Sequence, residues 1–159
     1  MFHTEQFNGT REQNYELLLS QLRALLQGED DRIANLSNAS SLLNQFLDDT
    51  NWVGFYLSKG DELVLGPFQG LPACVRIPYH KGVCGKAARE RSTVRVADVH
   101  EFPGHIACDA ASRSELVVPI LLNGELFGVL DIDSPSLNRF DEIDQHYMEK
   151  FVKELCSHL

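Results

Sequence analysis

The stretch that decides the fold is Leu116-Val117-Val118-Pro119-Ile120-Leu121-Leu122-Asn123-Gly124-Glu125-Leu126-Phe127-Gly128-Val129-Leu130-Asp131-Ile132. Two apolar, β-branched runs flank Asn123-Gly124. That dipeptide tolerates positive φ at both central positions of a type I′ turn, so the stretch reads as a β-hairpin. Pairing about the turn brings together residues whose numbers sum to about 247. Glu115, which opens the first strand, therefore lies across from the Asp131–Asp133 end of the second. Asp131 and Asp133 are two apart and share one sheet face, while Leu130 and Ile132 take the other.

Strand signals continue upstream. Trp52-Val53-Gly54-Phe55-Tyr56-Leu57 is aromatic and β-branched, Lys59-Gly60-Asp61 is a turn, and Glu62 to Gly66 returns. Ala73 to Pro78 and Thr93 to Ala97 read as short strands. Between them, Gly82 to Arg91 reads as a short helix. Val99 to Arg113 has no clean period and reads as a loop of the kind that carries function.

Helical spacing governs both ends. Tyr15, Leu18, Leu19, Leu22, Leu25 and Leu26 fall on one face of a first helix, which breaks at Gly28-Glu29-Asp30-Asp31. Ile33, Leu36, Ser40, Leu43, Phe46 and Leu47 form the stripe of a second. Phe140 to Leu159 closes the chain as a third, starting at Asp141, with Ile143, Tyr147, Phe151 and Leu155 inward. The expected class is α+β: a mostly antiparallel sheet with the terminal helices on one face. Loops and the short helix roof a pocket on the other face.

Residues 1–159 are expected to form one domain, long enough to hold a core without metal or disulfide. A formal net charge of −9 argues against nucleic acid and against anionic membranes. Met1 to Asn14 contains no apolar segment of a secretion signal, so a reducing, cytoplasmic setting is expected. In that setting the four cysteines are unlikely to be a structural disulfide framework.

The cysteines differ in context. Cys108 lies in the irregular loop, where a thiol can meet a ligand; position alone leaves it open between a nucleophile and a buried apolar residue. Cys84 begins the short helix, where the dipole would stabilise a thiolate, or where Cys84 and Ala88 simply pack. Cys74 opens a strand after Gly70-Leu71-Pro72. Cys156 lies beside the apolar stripe of the last helix and reads as structural. A zinc site built from Cys74, Cys84, Cys108 and His105 is a rival arrangement, but it lacks a compact ligand pair such as CxxC, so no metal is expected.

Several of these motifs together resemble the free methionine-(R)-sulfoxide reductases, a GAF-domain family. They are Asn51 to Leu57, Leu65 to Gly70, Ala73 to Ile77, Gly82-Val83-Cys84-Gly85, Phe102 to Asp109, Ser112 to Pro119 and Gly128 to Ser134. The resemblance implies a GAF fold and reduction of free L-methionine (R)-S-oxide. Carried over by position, Cys108 is the nucleophile and Cys84 and Cys74 are recycling cysteines, with their order left open. Glu115, Asp131 and Asp133 line the substrate pocket, and Trp52 and Tyr56 form an aromatic wall. The resemblance further implies no cofactor, thioredoxin as external reductant, and a homodimer. A non-catalytic GAF sensor of a small ligand or of redox state is the alternative.

Overall fold

The structure, a computed structural model, describes residues 6–106 and 108–159. Ala107 of the quoted loop motif and the first five residues lie outside that range. Two helices, α1 (Arg11–Leu26) and α2 (Arg32–Phe46), precede β1 (Trp52–Lys59), β2 (Glu62–Gly70) and β3 (Arg76–Pro78). Then follow α3 (Gly82–Glu90), β4 (Val94–Val96), a 3-10 turn (Val99–Glu101), β5 (Ser114–Leu122), β6 (Glu125–Ser134) and α4 (Glu142–Cys156). The strands form one sheet in the order β3-β2-β1-β6-β5-β4, antiparallel throughout.

Local chemistry sets the helix starts. Thr10 and Gln13 form a reciprocal capping box on α1, and Asp141 with Asp144 does the same for α4. Asp31 caps α2 through the Ala34 N–H. The stripes named above then pack on one sheet face. Leu18, Leu22, Leu36, Leu43, Phe151 and Leu155 are buried against Phe55, Leu116, Leu130 and Ile132. Ile33 departs from expectation: it is 59% exposed, and the buried face of α2 begins at Asn35 and Leu36.

A polar cluster joins the two ends of the chain on this side. Asp144 is buried, accepts from the Tyr15 hydroxyl at 2.5 Å and pairs with Arg11 at 2.6 Å. Arg11 also grips Asp141, which holds that carboxyl well below its ordinary range.

The hairpin forms with Asn123 at φ 52° and Gly124 at φ 79°, as a type I′ turn requires. A bulge between Ile120 and Leu121 then shifts the register by one. Without it Glu115 would oppose Ile132. With it Glu115 opposes Asp133 directly, and side chains opposite one another share a face. Pro119 is tolerated because β4 pairs with β5 only at Glu115, Leu116 and Val117, so its missing N–H faces no partner strand.

The other sheet face carries a second core of Trp52, Tyr56, Leu63, Ile77, Val117 and Val129 under Val83, Cys84, Ala87 and Ala88 of α3. The expected third strand is shorter than read. Only Arg76–Pro78 pairs with β2, with one further bond from the Leu65 N–H to the Val75 carbonyl, and Cys74 sits in the loop before it.

Candidate active site

Between the α3 face of the sheet and the loops lies a pocket that opens to solvent. Trp52, Tyr56, Val83, Cys84, His105, Cys108, Glu115, Asp131 and Asp133 line it. The structure thus gathers every residue singled out from the sequence except Cys74, which is bonded to Cys108 at the rim.

Three carboxyls meet on the sheet floor. Glu115 is 6% exposed and Asp131 5%, while Asp133 keeps some accessible surface in the cavity wall. Burial, reinforced by the charges of Asp131 and Asp133, pushes Glu115 well above the usual carboxylate range. Burial raises Asp131 as well, and burial with the Asp131 charge raises Asp133 well above its ordinary value. The cluster therefore retains protons that free carboxyls would have lost. Asp131 Oδ1 is buried without a hydrogen-bond partner. An orphaned buried acceptor of this kind is costly unless a ligand donor or a cation meets it.

Cys84 sits on this cluster. Its thiol points toward Glu115 Oε1 at 3.9 Å, and one donor atom each from Cys84, Glu115 and Asp131 lie within 4.8 Å of one another. The spacing suits a shared proton or the cationic group of a ligand. The expectation of a dipole-stabilised thiolate at Cys84 does not hold. Cys84 is buried, and desolvation plus the charges of Asp131 and Glu115 push its thiol well up. Two carboxyls in contact outweigh the half-charge of a nine-residue helix.

The aromatic wall is built by a gap. Trp52, Gly54 and Tyr56 alternate onto the cavity face of β1, and Gly54 pairs with Phe68. A Cβ on Gly54 would lie 2.2 Å from the Phe68 Cβ. Its absence lets Phe68 slide over the strand and stack on Trp52 at 5.1 Å, while Trp52 stacks on Tyr56 at 5.7 Å. Burial, then the nearby charge of Asp131, raises the Tyr56 phenol, so it stays a donor. It donates to the Cys74 carbonyl at 2.8 Å, and the Trp52 indole donates to the Leu71 carbonyl at 3.2 Å. The wall thereby fixes the loop that carries Cys74.

On the opposite side the Cys108 loop is tied to the start of β1. The Asn51 amide donates to Asp109 and to the Ser112 hydroxyl, both at 3.0 Å. Asp109 and Ser112 also line the cavity, a role that reading the loop residue by residue missed. His105, read as a rival zinc ligand, instead faces Glu115 at 3.9 Å. Burial lowers its pKa, so its imidazole is neutral over much of the physiological range. With Cys74 and Cys108 joined, two of the four ligands of the rival zinc arrangement are committed to a disulfide.

A sequence model of the GAF domain matches residues 16–159. The chain is 57% identical to protein YtsP of Bacillus subtilis over 98% of its length and 96% of that protein. It is 50% identical to the free methionine-R-sulfoxide reductase of Escherichia coli, over 89% of this chain and 86% of that one. The solved structure of fRMsr of Staphylococcus aureus in its reduced form superposes with a TM-score of 0.90 at 54% identity, covering 98% and 99% of the two chains. That of the free methionine-R-sulfoxide reductase of Neisseria meningitidis, in complex with its substrate, gives 0.93 at 43% identity, covering 99% and 95%. The fold is thus that of a GAF domain. More narrowly, the chain belongs to the GAF-domain free methionine-R-sulfoxide reductase family.

Proposed function

We propose that the cavity reduces free L-methionine (R)-S-oxide, with Cys108 as the nucleophile. The observation that carries this reading is that Cys108 lines one pocket with Glu115, Asp131 and Asp133, whose carboxyls burial raises above their ordinary range. A sulfoxide becomes an electrophile when its oxygen is protonated or strongly hydrogen-bonded. A carboxylic acid of raised pKa supplies that proton near neutrality. The Cys108 thiolate bonds to the sulfur of the protonated sulfoxide; the oxygen then passes from that sulfur to Cys108 as the S–O and S–S bonds to the substrate break, releasing methionine and leaving Cys108 as a sulfenic acid.

The remaining carboxylate charge, with the orphaned Asp131 oxygen, suits the α-ammonium group of a free amino acid. The stacked wall of Trp52 and Tyr56 suits the S-methyl end. Seating of the α-ammonium group on these carboxyls disfavours a residue whose amine is tied up in a peptide bond. Cys74 condenses with the sulfenic acid to give the disulfide seen here, with loss of water. Cys84, kept as a buried thiol on the carboxyl cluster, is a second recycling cysteine.

The reading extends to thioredoxin as reductant, to a cytoplasmic setting in which such dithiols stay reduced, and to a homodimer, as the resemblance implies. It confines the activity to a single domain over residues 1–159. No described helix is long and apolar enough to cross a membrane.

The test is capture of the intermediate. A Cys74→Ser, Cys84→Ser double variant given one equivalent of substrate accumulates a dimedone-reactive sulfenic acid on Cys108. Methionine formed with the adduct on another residue, or with none, removes Cys108 from this role.

A further inference from the structure

The Cys74–Cys108 disulfide has two unlike ends. Cys108 lines the cavity, whereas Cys74 does not: it lies in the loop Leu71-Pro72-Ala73-Cys74-Val75, whose first three residues form part of the cavity wall and whose Cys74 and Val75 lie beyond it. This loop holds no charged side chain, in a chain of net charge −9. Leu71 is 64% exposed and Val75 60%, two of the five large apolar residues exposed among the described residues. Both flank the redox sulfur.

The loop is nevertheless held firmly. Trp52 donates to the Leu71 carbonyl, Tyr56 to the Cys74 carbonyl, and the Leu65 N–H to the Val75 carbonyl at 2.9 Å. Apolar side chains anchored into water by three backbone bonds form a preorganised platform, which lowers the ordering cost of a partner that covers it. The next charged residue, Arg76, is turned aside by its pair with Glu62 at 2.5 Å.

We propose that the Leu71–Val75 loop is the docking surface for the protein dithiol that recycles the enzyme, and that this dithiol attacks the Cys74 sulfur. The inference rests on the reductase reading above and deepens it. The platform is uncharged and apolar, so it fits a reactive thiol ringed by apolar surface on a folded protein. A small anionic thiol gains nothing from it.

The exchange balances as follows. A partner thiolate forms a bond to Cys74 Sγ, the Cys74–Cys108 bond breaks, and its electron pair leaves on Cys108. The partner's second thiolate then attacks the partner sulfur of the mixed disulfide and expels the Cys74 thiolate. The partner is oxidised to its disulfide, and two electrons and two protons restore both thiols. The polarity has a use: the first step releases the Cys108 thiolate directly into the cavity, ready for substrate.

Two measurements test this. First, oxidised unmodified protein is mixed with thioredoxin whose resolving cysteine is replaced by serine, and the mixed disulfide is mapped by peptide mass. The adduct is expected on Cys74; an adduct on Cys108 or Cys84 overturns the assignment. Second, Val75→Glu is compared with wild type using thioredoxin, kept reduced enzymatically, or dithiothreitol. The thioredoxin KM should rise about tenfold or more while turnover with dithiothreitol stays within about twofold, since the partner would have to bury an unpaired carboxylate against its apolar surface. An unchanged thioredoxin KM overturns the docking surface. Wild type inactive with both reductants would instead sink the reductase reading. Adduct mapping uses the unmodified chain and so does not depend on the folding of the variant.

Discussion

Replacing Glu115 by Gln should make the protein more stable and less active at once. Glu115, Asp131 and Asp133 face one another on the floor of the cavity, and burial raises all three. A carboxyl raised in the folded state binds more protons there than in the unfolded chain. Its stabilising contribution is complete below the ordinary carboxylate pKa, near pH 4, and is lost as pH rises through the folded value. Each unit of upward displacement corresponds to about 1.4 kcal/mol forfeited above both values. Glutamine imitates the protonated form at nearly equal volume, and its amide N–H groups can reach toward the orphaned Asp131 oxygen. A neutral amide carries no such penalty, so it recovers about 1.4 kcal/mol for each unit by which burial has raised the carboxyl. For a chain of this size each kcal/mol moves Tm by about 2–4 °C. Thermal melts of the ligand-free variant should therefore match wild type at pH 4.5 and exceed it by several degrees at pH 8. Single-turnover reduction should fall by about 10². A variant less stable than wild type at pH 8, with an unchanged pH slope, would refute the electrostatic reasoning.

Two further outcomes follow from packing. Gly54→Ala places a Cβ 2.2 Å from that of Phe68 and 2.9 Å from the Trp52 ring, so the stacked wall must shift. Overpacking of this kind costs about 1–3 kcal/mol; chemical melts should register it, with a higher substrate KM, and an unchanged KM would detach the wall from binding. Tyr15→Phe removes a donor from buried Asp144 while leaving Arg11 in place, and urea unfolding should show a loss of about 1–3 kcal/mol. No loss would mean that Arg11 and Arg139 satisfy the carboxylate unaided.

Much of this architecture was legible in local pattern. Asn123-Gly124 between two apolar runs fixed the hairpin, and the two-residue spacing of Asp131 and Asp133 placed both on one face. The Asp141 cap and the Phe151–Leu155 stripe announced α4. What escaped was set by non-local geometry. The bulge leaves Phe127 of β6 unpaired opposite the Ile120–Leu121 step, and its one local mark is the neighbouring Gly128; it aligns Glu115 with Asp133. The short β3 and the loop position of Cys74 depend on pairing with β2. Cys84 stayed open between a dipole-stabilised thiolate and a packing residue because only its helix start was visible in the sequence; its burial, and the carboxyls that oppose a thiolate from strands about 30 to 50 residues away, come from the fold. The sequence alone also left open which cysteine joins Cys108, since sequence spacing does not determine disulfide connectivity. His105 was noticed for its spacing to Cys108, but its neighbour Glu115 is supplied by the fold.

The most direct test of the central claim is single-turnover reduction of free L-methionine (R)-S-oxide by pre-reduced protein, wild type against Cys108→Ser. Wild type should form one methionine for each pair of thiols lost, with Cys74 and Cys108 joined in the product, and Cys108→Ser should form none. Equal methionine from both proteins would contradict the account.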